Sequence, residues 1–177
     1  MRKMAEERMF PYNIVLIGFM GTGKSTIAKH LSRRYGMEIV EMDREIEERE
    51  GMRIPEIFEQ KGEKYFRECE TNLLKEIQNY SNKIISCGGG AVLREENVKE
   101  MKRNGKVVLL TASPECILER TKKSQNRPLL QKNHSLEAIQ NMMKERREKY
   151  ERAADLIVDT DGKKISLICQ EIADRLP

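Results

Sequence analysis

Short apolar segments alternate with longer helical ones along the whole chain. The run Asn13–Gly18 is continuously apolar and largely β-branched, which is typical of a strand buried on both faces. Further strands are predicted at Met37–Glu41, Lys83–Cys87, Lys106–Thr111 and Ala154–Asp159. Helices are predicted at Lys24–Tyr35, Arg44–Glu50, Pro55–Gln60, Lys64–Tyr80, Glu95–Arg103, a stretch beginning near Pro114, Ser135–Arg152 and Lys163–Leu176.

Repeated strand–helix units predict one α/β domain over residues 1–177, with three layers: a five-stranded, mostly parallel sheet and helices on both of its faces. The polar segment Lys122–His134 lacks periodicity, so we expect a loop there that acts as a mobile lid, over about 122–134. Ligands of such sheets bind at the carboxyl ends of the strands. Unusual residues directly follow three predicted strands, at Gly18–Ser25, Glu41–Asp43 and Gly88–Gly90. These three groups are therefore expected to meet in one crevice.

The segment Gly18–Ser25 reads GFMGTGKS and matches the pattern G-x-x-x-x-G-K-[ST] between a strand and a helix. Its glycines let backbone N–H groups surround phosphate oxygens, and the helix N-terminus adds partial positive charge. Lys24 is expected to bridge the β- and γ-phosphates of a nucleotide and Ser25 to ligate Mg²⁺. A chance glycine-rich turn is the alternative. The motif predicts nucleotide binding but does not choose between a P-loop kinase, a GTPase and a motor.

Two carboxylates, Glu41 and Asp43, lie two residues apart on a segment predicted to be extended, so their side chains should point to the same side. One could help to hold Mg²⁺ through water, and the other could accept a hydrogen bond from an attacking hydroxyl. Asp43 could equally be the N-cap of the helix that follows. Ser86 and Cys87 stand where many P-loop proteins carry Asp, so the ion would depend on Ser25, phosphates, water and Glu41.

The glycine triplet Gly88–Gly90 would allow a ligand to approach the backbone closely, although a simple turn would explain it as well. Arg67 and Glu70 have the spacing of a helical ion pair, and most such pairs are solvated. Arg146 belongs to the charged run KERREK, which is typical of a solvated face, and Tyr150 lies on the same side of that helix.

One arginine lies in the predicted lid. Arg127 precedes Pro128, which favours an extended backbone at this position. An arginine that closes over the γ-phosphate could neutralise charge that develops during phosphoryl transfer. An ordinary exposed loop arginine would have the same local sequence.

The composition narrows the range of partners. Lys plus Arg total 33 against 29 Asp plus Glu, and this net charge of +4 suits an anionic substrate but is too evenly mixed to indicate nucleic acid. Four cysteines without a C-x-x-C pair, together with two histidines, argue against a zinc site and indicate free thiols in a reducing compartment. The N-terminus lacks the apolar core of a signal peptide, and the longest apolar run is too short to cross a membrane. We expect a cytoplasmic monomer without a membrane partner.

The ordered pattern as a whole resembles the shikimate kinase family from about Asn13 to Asp174. The phosphate loop alone is generic, whereas FR-x-x-E, GGGA and RPLL in this order are highly specific. The matching segments are GFMGTGKST, EMDREIE, IFEQKGEKYFRECE, ISCGGGAV, RPLL, the pattern R-x-x-x-Y at Arg146–Tyr150, and ADLIVDT.

This resemblance implies a P-loop kinase fold and transfer of the γ-phosphoryl group of ATP to the 3-hydroxyl of shikimate, with Mg²⁺ as cofactor. It places shikimate against a helical region at about 44–80. The implied catalytic residues are Asp43, Lys24 and Arg127. The implied ATP-binding residues are Gly21, Thr22, Gly23, Lys24, Ser25, Thr26, Arg120 beside adenine, and Arg127 in the lid. The implied substrate-binding residues are Asp43, Phe58, Phe66, Arg67, Glu70, Gly88, Gly89, Gly90 and Arg146.

The chain departs from the family pattern at Glu41, where the family often carries Asp, and the role of this residue near Mg²⁺ stays open. The segment Asp161–Lys164 also lacks the Arg and Pro common in the family, so no adenine contact is assigned there. Two alternatives remain: a related kinase acting on gluconate or a nucleoside monophosphate, and a nucleotide-binding regulatory protein without turnover. The intact set of implied catalytic residues argues against the latter.

Overall fold

The computed structural model describes residues 8–122 and 134–177. Its five parallel strands form one sheet in the order β2–β3–β1–β4–β5. The strands are β1 (Asn13–Ile17), β2 (Glu38–Glu41), β3 (Lys83–Ser86), β4 (Gly105–Thr111) and β5 (Leu156–Asp159). The helices in the described ranges are α1 (Lys24–Tyr35), α2 (Met42–Glu50), α3 (Ile54–Lys61), α4 (Glu63–Ile77), α5 (Glu95–Arg103), α6 (Pro114–Thr121), α7 (Leu136–Ala153) and α8 (Ile165–Arg175), with a short 3₁₀ helix at Ala91–Leu93.

The central strand β1 is buried on both faces, which explains its continuous apolar run. Val15 and Ile17 pack into a core that includes residues of α3, α4, α5 and α7, whereas Ile14 and Leu16 pack into a second core with α1 and α8. Helices thus cover both faces of the sheet. The predicted three-layer α/β architecture is confirmed.

The predicted strands agree with the structure to within about two residues, and Ser135 caps α7 as expected, accepting a hydrogen bond from the backbone N–H of Ala138. The last predicted turn of α4 is wrong: the helix ends at Ile77, and Gln78 turns its buried amide to Asn13 and Met101 instead. The 3₁₀ helix was not predicted. Most of the expected lid, residues 123–133, lies outside the described ranges.

The topology places three loops side by side. Strands β2, β3 and β1 are neighbours and run in the same direction, so the segments that follow them leave the same edge of the sheet. The four cysteines are free thiols, as predicted. In residues 8–122 and 134–177, no helix is both long and apolar enough to cross a membrane.

Candidate active site

The phosphate loop turns sharply between β1 and α1. Gly23 immediately precedes α1 with φ 96°, a conformation that L side chains rarely adopt. Gly18 passes so close to β4 that a Cβ atom would lie 2.5 Å from the carbonyl oxygen of Leu110. The hydroxyl of Thr22 donates to the carbonyl of Phe19 at 2.9 Å and closes the turn from within. The loop is thus held in shape by its own residues and by β4.

Two polar side chains at the start of α1 face the loop and the end of β2. Lys24 Nζ donates to the carbonyl oxygens of Gly18 at 2.8 Å and Phe19 at 3.1 Å. Ser25 Oγ donates to Glu41 Oε2 at 3.1 Å, while Glu41 Oε1 is buried and has no hydrogen-bond partner in the described part of the chain. Lys24 and Ser25 therefore stand at the helix N-terminus, where phosphate groups are favoured.

The oxygens of Ser25 and Glu41 fit a hard cation such as Mg²⁺. In the described ranges no group of three or more His, Cys, Asp or Glu side chains forms a metal site. A bound Mg²⁺ would therefore take most of its ligands from phosphate oxygens and water, which is its usual preference in nucleotide sites. Glu41 fits this role because one of its carboxylate oxygens is buried without a hydrogen-bond partner in residues 8–122 and 134–177, and the other already contacts Ser25.

A cavity of about 370 Å³ opens at the shared edge of β2, β3 and β1. Lys24 and Ser25 line the part of it that is here called the phosphate end, Arg67 and Arg146 line the part that is here called the arginine end, and Asp43 also faces the cavity. The two parts are close together, because Arg146 lies beside Phe19 of the phosphate loop. All three groups that follow the strands therefore contribute to one crevice. The remaining lining residues are Met20, Lys29, Glu41, Arg44, Glu47, Ile54, Phe58, Phe66, Glu70, Ser86, Cys87, Gly88, Gly89 and Gly90.

Asp43 lies in the first turn of α2, which begins at Met42 directly after β2. The expectation that Glu41 and Asp43 share an extended segment is wrong, because the strand passes into the helix without a loop. The N-cap alternative for Asp43 is also wrong, since the N-cap position belongs to Glu41. The carboxylate of Asp43 nevertheless faces the cavity, close to Gly88.

Arg67 and Glu70 form a buried ion pair on α4. Arg67 Nη1 donates to Glu70 Oε1 at 2.8 Å, and Arg67 Nη2 reaches Glu63 Oε1 at 3.2 Å. Arg67 is 8% exposed and Glu70 is fully buried, so the expectation of a solvated pair is wrong. The pair is buried because this face of α4 packs against Gly88 and Gly90. Glu70 Oε2 has no hydrogen-bond partner in the described residues.

The charge state of Glu70 follows from its surroundings. Burial raises the pKa of Glu70 to about 7, the guanidinium of Arg67 opposes this shift, and the carboxylate of Asp43 adds to it. Near neutral pH, both the protonated and the ionised forms of Glu70 are therefore populated. The charge at this end of the cavity thus depends on pH.

The three residues Gly88, Gly89 and Gly90, here called the glycine turn, leave space for other groups. A Cβ atom at Gly90 would lie 2.4 Å from Arg67 Nη2, and one at Gly88 would lie 2.8 Å from Asp43 Oδ1. None of the three has the positive φ that would require glycine for its conformation. The turn is therefore glycine-rich because two functional side chains press against its backbone, which a simple turn would not require.

Arg146 extends from α7 toward the glycine turn. It is 7% exposed, and its guanidinium carbon lies 5.7 Å from the centre of the Phe19 ring. Its Nη1 is buried without a hydrogen-bond partner in the described ranges. The next residue, Arg147, has a side chain that is 78% exposed and pairs with Glu151. The expectation of a solvated face is thus wrong for Arg146 and right for Arg147.

Tyr150 lies one turn after Arg146 and is also buried. Its hydroxyl donates to the carbonyl of Gly89, which joins α7 to the glycine turn. Burial raises the pKa of Tyr150, so the hydroxyl stays protonated and remains a donor. The sequence placed Tyr150 on the Arg146 face without assigning it a contact; its hydrogen bond to a backbone carbonyl left no signal in the local pattern.

Apolar side chains and a thiol complete the cavity. The rings of Phe58 and Phe66 lie 5.2 Å apart, and the guanidinium of Arg67 lies 5.4 Å from the centre of the Phe66 ring. Cys87 contributes to the lining but is only 2% exposed, and its burial strongly raises the pKa of the thiol. The cavity therefore combines an apolar wall with charged groups, as expected for a small polar ligand that has one hydrophobic face.

Comparisons with known proteins agree with this geometry. A family model described as Shikimate kinase matches residues 20–177. The chain belongs to the shikimate kinase family. It is 42% identical to a shikimate kinase of Thermodesulfovibrio yellowstonii over 93% of this chain and 92% of that protein. It is 45% identical to one of Geobacter sulfurreducens over 91% and 88%. The structure of Acinetobacter baumannii shikimate kinase in complex with shikimate matches with a TM-score of 0.88 and 34% identity, covering 97% of each chain.

Several of the predicted site residues are not among the residues that line the cavity. Arg120 is exposed on α6, and its Nη1 donates to the carbonyl of Gly21 at 3.1 Å, so it stands beside the phosphate loop. Thr26 is exposed on α1. Arg127 lies outside the described residues.

Sequence reasoning missed Glu47, which lines the cavity and accepts a hydrogen bond from the backbone N–H of Ile54 at 3.0 Å, thereby capping α3. Its place in a charged helix gave no sign of this contact.

Proposed function

We propose that this protein transfers the γ-phosphoryl group of ATP to the 3-hydroxyl of shikimate within the cavity described above, giving shikimate 3-phosphate and ADP. One observation carries the assignment of residues: a phosphate loop, two buried arginines and Asp43 all line one small cavity. Phosphoryl transfer needs positioning and charge neutralisation more than covalent chemistry. This arrangement can supply both.

The two arginines would bind the carboxylate of shikimate. Guanidinium groups bind carboxylates in a planar, bidentate manner, and Arg146 Nη1 has no partner among the described residues. Glu70 holds Arg67 in place through a 2.8 Å contact. The glycine turn and the rings of Phe58 and Phe66 would form the surface around the ligand ring. The helical region 44–80, which supplies Arg67, Glu70 and both rings, is therefore proposed to bind shikimate.

Asp43 would act on the accepting hydroxyl. Its carboxylate faces the cavity that Lys24 also lines, so a ligand anchored on the arginines would bring a hydroxyl near it. It would accept the hydroxyl hydrogen bond and orient the oxygen for in-line attack, or take its proton as a general base. Gly88 lies between Asp43 and Glu70. Because Gly88 has no side chain, both carboxyl groups can approach its backbone closely.

The phosphate loop would hold ATP. On binding, Lys24 Nζ would exchange its hydrogen bonds to the carbonyls of Gly18 and Phe19 for the β- and γ-phosphates. Gly21, Thr22, Gly23 and Thr26 belong to the same proposed ATP site. Mg²⁺, held by Ser25 with Glu41 as an outer ligand through water, would neutralise phosphate charge. Arg120 and Arg127 stay proposed contacts for adenine and the γ-phosphate, with 122–134 as the lid.

We also propose that the protein is a cytoplasmic monomer whose partners are ATP and shikimate. Its mixed charge, with a net value of +4, suits small anionic ligands and does not favour binding to nucleic acid or membrane. Gel filtration at micromolar concentration tests the oligomeric state directly, and elution as a dimer would contradict the monomer.

A coupled assay of ADP release tests the activity itself. Purified protein with ATP and Mg²⁺ is assayed with shikimate, gluconate, a nucleoside monophosphate or no acceptor. We expect release that depends on shikimate and stays at the no-acceptor level with the other two compounds. ATP binding without shikimate-dependent ADP release would contradict the proposal and favour a regulatory protein, and preference for gluconate or a nucleotide would favour a related kinase.

A further inference from the structure

A buried amide joins the two backbone segments that carry the arginine end of the cavity. Asn97 on α5 has no exposed surface. Its Nδ2 donates to the carbonyl of Ala91 at 2.8 Å, and its Oδ1 accepts a hydrogen bond from the hydroxyl of Thr71 at 2.6 Å. Ala91 directly follows the glycine turn, and Thr71 lies on α4 one turn after Arg67. One side chain therefore connects the glycine turn to the helix of Arg67.

No water can replace these bonds without a rearrangement. Thr71 is 4% exposed and Ala91 is fully buried. The Thr71 hydroxyl also lies 3.1 Å from the carbonyl oxygen of Arg67, so the same hydroxyl contacts the backbone of the arginine itself. Loss of the amide would remove the donor that the buried Ala91 carbonyl uses and would leave the Thr71 hydroxyl to donate to the Arg67 carbonyl instead, so the two segments would lose their connection and would have to move to satisfy the Ala91 carbonyl.

The clearance between the two segments is small. The Arg67 guanidinium lies against Gly90, so close that even a methyl group there would overlap it. A shift of the glycine turn toward α4 would push the guanidinium out of place, and a shift away would remove the surface against which it rests. The position of Arg67 therefore depends on the spacing that Asn97 maintains.

We propose that Asn97 is a positioning residue for shikimate binding, because it sets the distance between the glycine turn and the Arg67 guanidinium. Asn97 does not line the cavity and acts only through Ala91 and Thr71. The proposal rests on the proposed function, since it assumes that Arg67 receives the carboxylate. It predicts an effect on shikimate that ATP binding does not share.

The chain offers a matched control in Gln78, which directly follows α4. This residue is 2% exposed, and it also connects the α4 region to α5, because its Nε2 donates to the carbonyl of Met101 at 3.3 Å. Its Oε1 accepts a hydrogen bond from Asn13, the first residue of β1. Gln78 thus lies at the amino end of the sheet, whereas Asn97 serves the end that carries the cavity.

The experiment compares Asn97→Leu with Gln78→Met, each of which removes a buried amide at similar volume. We expect Asn97→Leu to raise the KM for shikimate about tenfold, because a small misplacement of a binding group is costly, while the KM for ATP changes by less than about twofold. Both variants should lower the melting temperature by a similar amount, but Gln78→Met should leave both KM values near those of the wild type. An unchanged shikimate KM in Asn97→Leu, or an equal rise in Gln78→Met, would overturn the proposal.

Thr71 provides a second test should Asn97→Leu fail to fold. Thr71→Val keeps the shape and removes the hydroxyl, whereas Thr71→Ser keeps the hydroxyl. We expect the valine variant to raise the shikimate KM and the serine variant to restore it; equal KM values for the two would contradict the role. A wild-type enzyme without shikimate-dependent ADP release would instead refute the proposed function. A normal Asn97→Leu alongside a weakened Arg67→Lys would refute the positioning role alone.

Discussion

The two ends of the cavity are built differently. At the phosphate end, Lys24 donates to two backbone carbonyls and the exposed Ser25 contacts Glu41. At the arginine end, Arg67 and Arg146 are buried, and Arg146 Nη1 lacks a hydrogen-bond partner among the described residues. In the proposed function, the phosphate end exchanges hydrogen bonds when ATP binds, whereas the arginine end already holds charged groups that a ligand can satisfy. A buried group left without its partner discriminates strongly against ligands that lack the matching group, so the arginine end should determine acceptor specificity.

The largest effect is expected at Asp43. Asp43→Asn keeps the shape of the side chain but removes its charge and its ability to accept a proton, so kcat should fall about 10³-fold, within the range of general-base contributions. ATP affinity, measured by calorimetry, should be retained because the phosphate loop is untouched. Glu48→Gln, a change at an exposed carboxylate of the same helix, serves as the control. Near-normal turnover of Asp43→Asn would remove Asp43 from the mechanism.

A smaller effect should distinguish two adjacent arginines. Arg146→Ala should raise the KM for shikimate by about 30-fold or more, because truncating one partner of a buried, charge-assisted contact costs about 2 kcal/mol or more. Arg147→Ala should stay within about twofold of the wild type, because its side chain is largely in solvent and forms an exposed pair with Glu151. Both variants should keep their KM for ATP. Equal shikimate KM values in the two variants would show that the arginine end does not bind the acceptor through Arg146.

The smallest effect concerns pH. Burial raises the pKa of Glu70 to about 7, so its carboxyl gains a proton as the pH falls through neutrality. The protonated carboxyl no longer neutralises the positive charge of Arg67. Anionic shikimate should therefore bind a few-fold more tightly at about pH 6 than at about pH 8, since a gain of one positive charge in the pocket favours the anion. Titration calorimetry checks this. In Glu70→Gln the dissociation constant should be nearly independent of pH over this range, and a wild-type constant that is equally flat would contradict the role of Glu70.

The raised pKa of Glu70 should also change the free energy of unfolding, in a direction that can be measured. A carboxyl whose pKa is raised in the folded state contributes stability below its ordinary value of 4.5, and this contribution is lost as the pH rises through about 7. The free energy of unfolding of the wild type should therefore decline relative to that of Glu70→Gln between these values. Urea unfolding at several pH values measures the difference, and the opposite trend would mean that the Arg67 contact outweighs burial.

Features encoded in consecutive residues could be predicted from the sequence. The phosphate loop is one short segment between a strand and a helix, and β1 is a continuous apolar run, so both were recognisable without tertiary information. The burial of Arg67 and Arg146 could not be predicted this way. Their local patterns are those of solvated helices, and their burial results from packing against a glycine turn that lies elsewhere in the chain. Only the resemblance to a family pointed to them.

Other features depended on details that sequence patterns do not resolve. The direct passage from β2 into α2 placed Asp43 in a helix, because the boundary between the two elements is set by backbone geometry and not by the hydrophobic pattern. Asn97 lies in a charged helix and had no signal of its own; its importance follows from contacts with Thr71 and Ala91.

The thiol in the cavity lining bears on how inhibitors of this enzyme could be made. Cys87 lies beside the substrate pocket, but burial and the neighbouring carboxylates keep it protonated, and the thiolate is the form that reacts with electrophiles. Alkylating warheads and peroxides should therefore leave Cys87 intact while the fold persists.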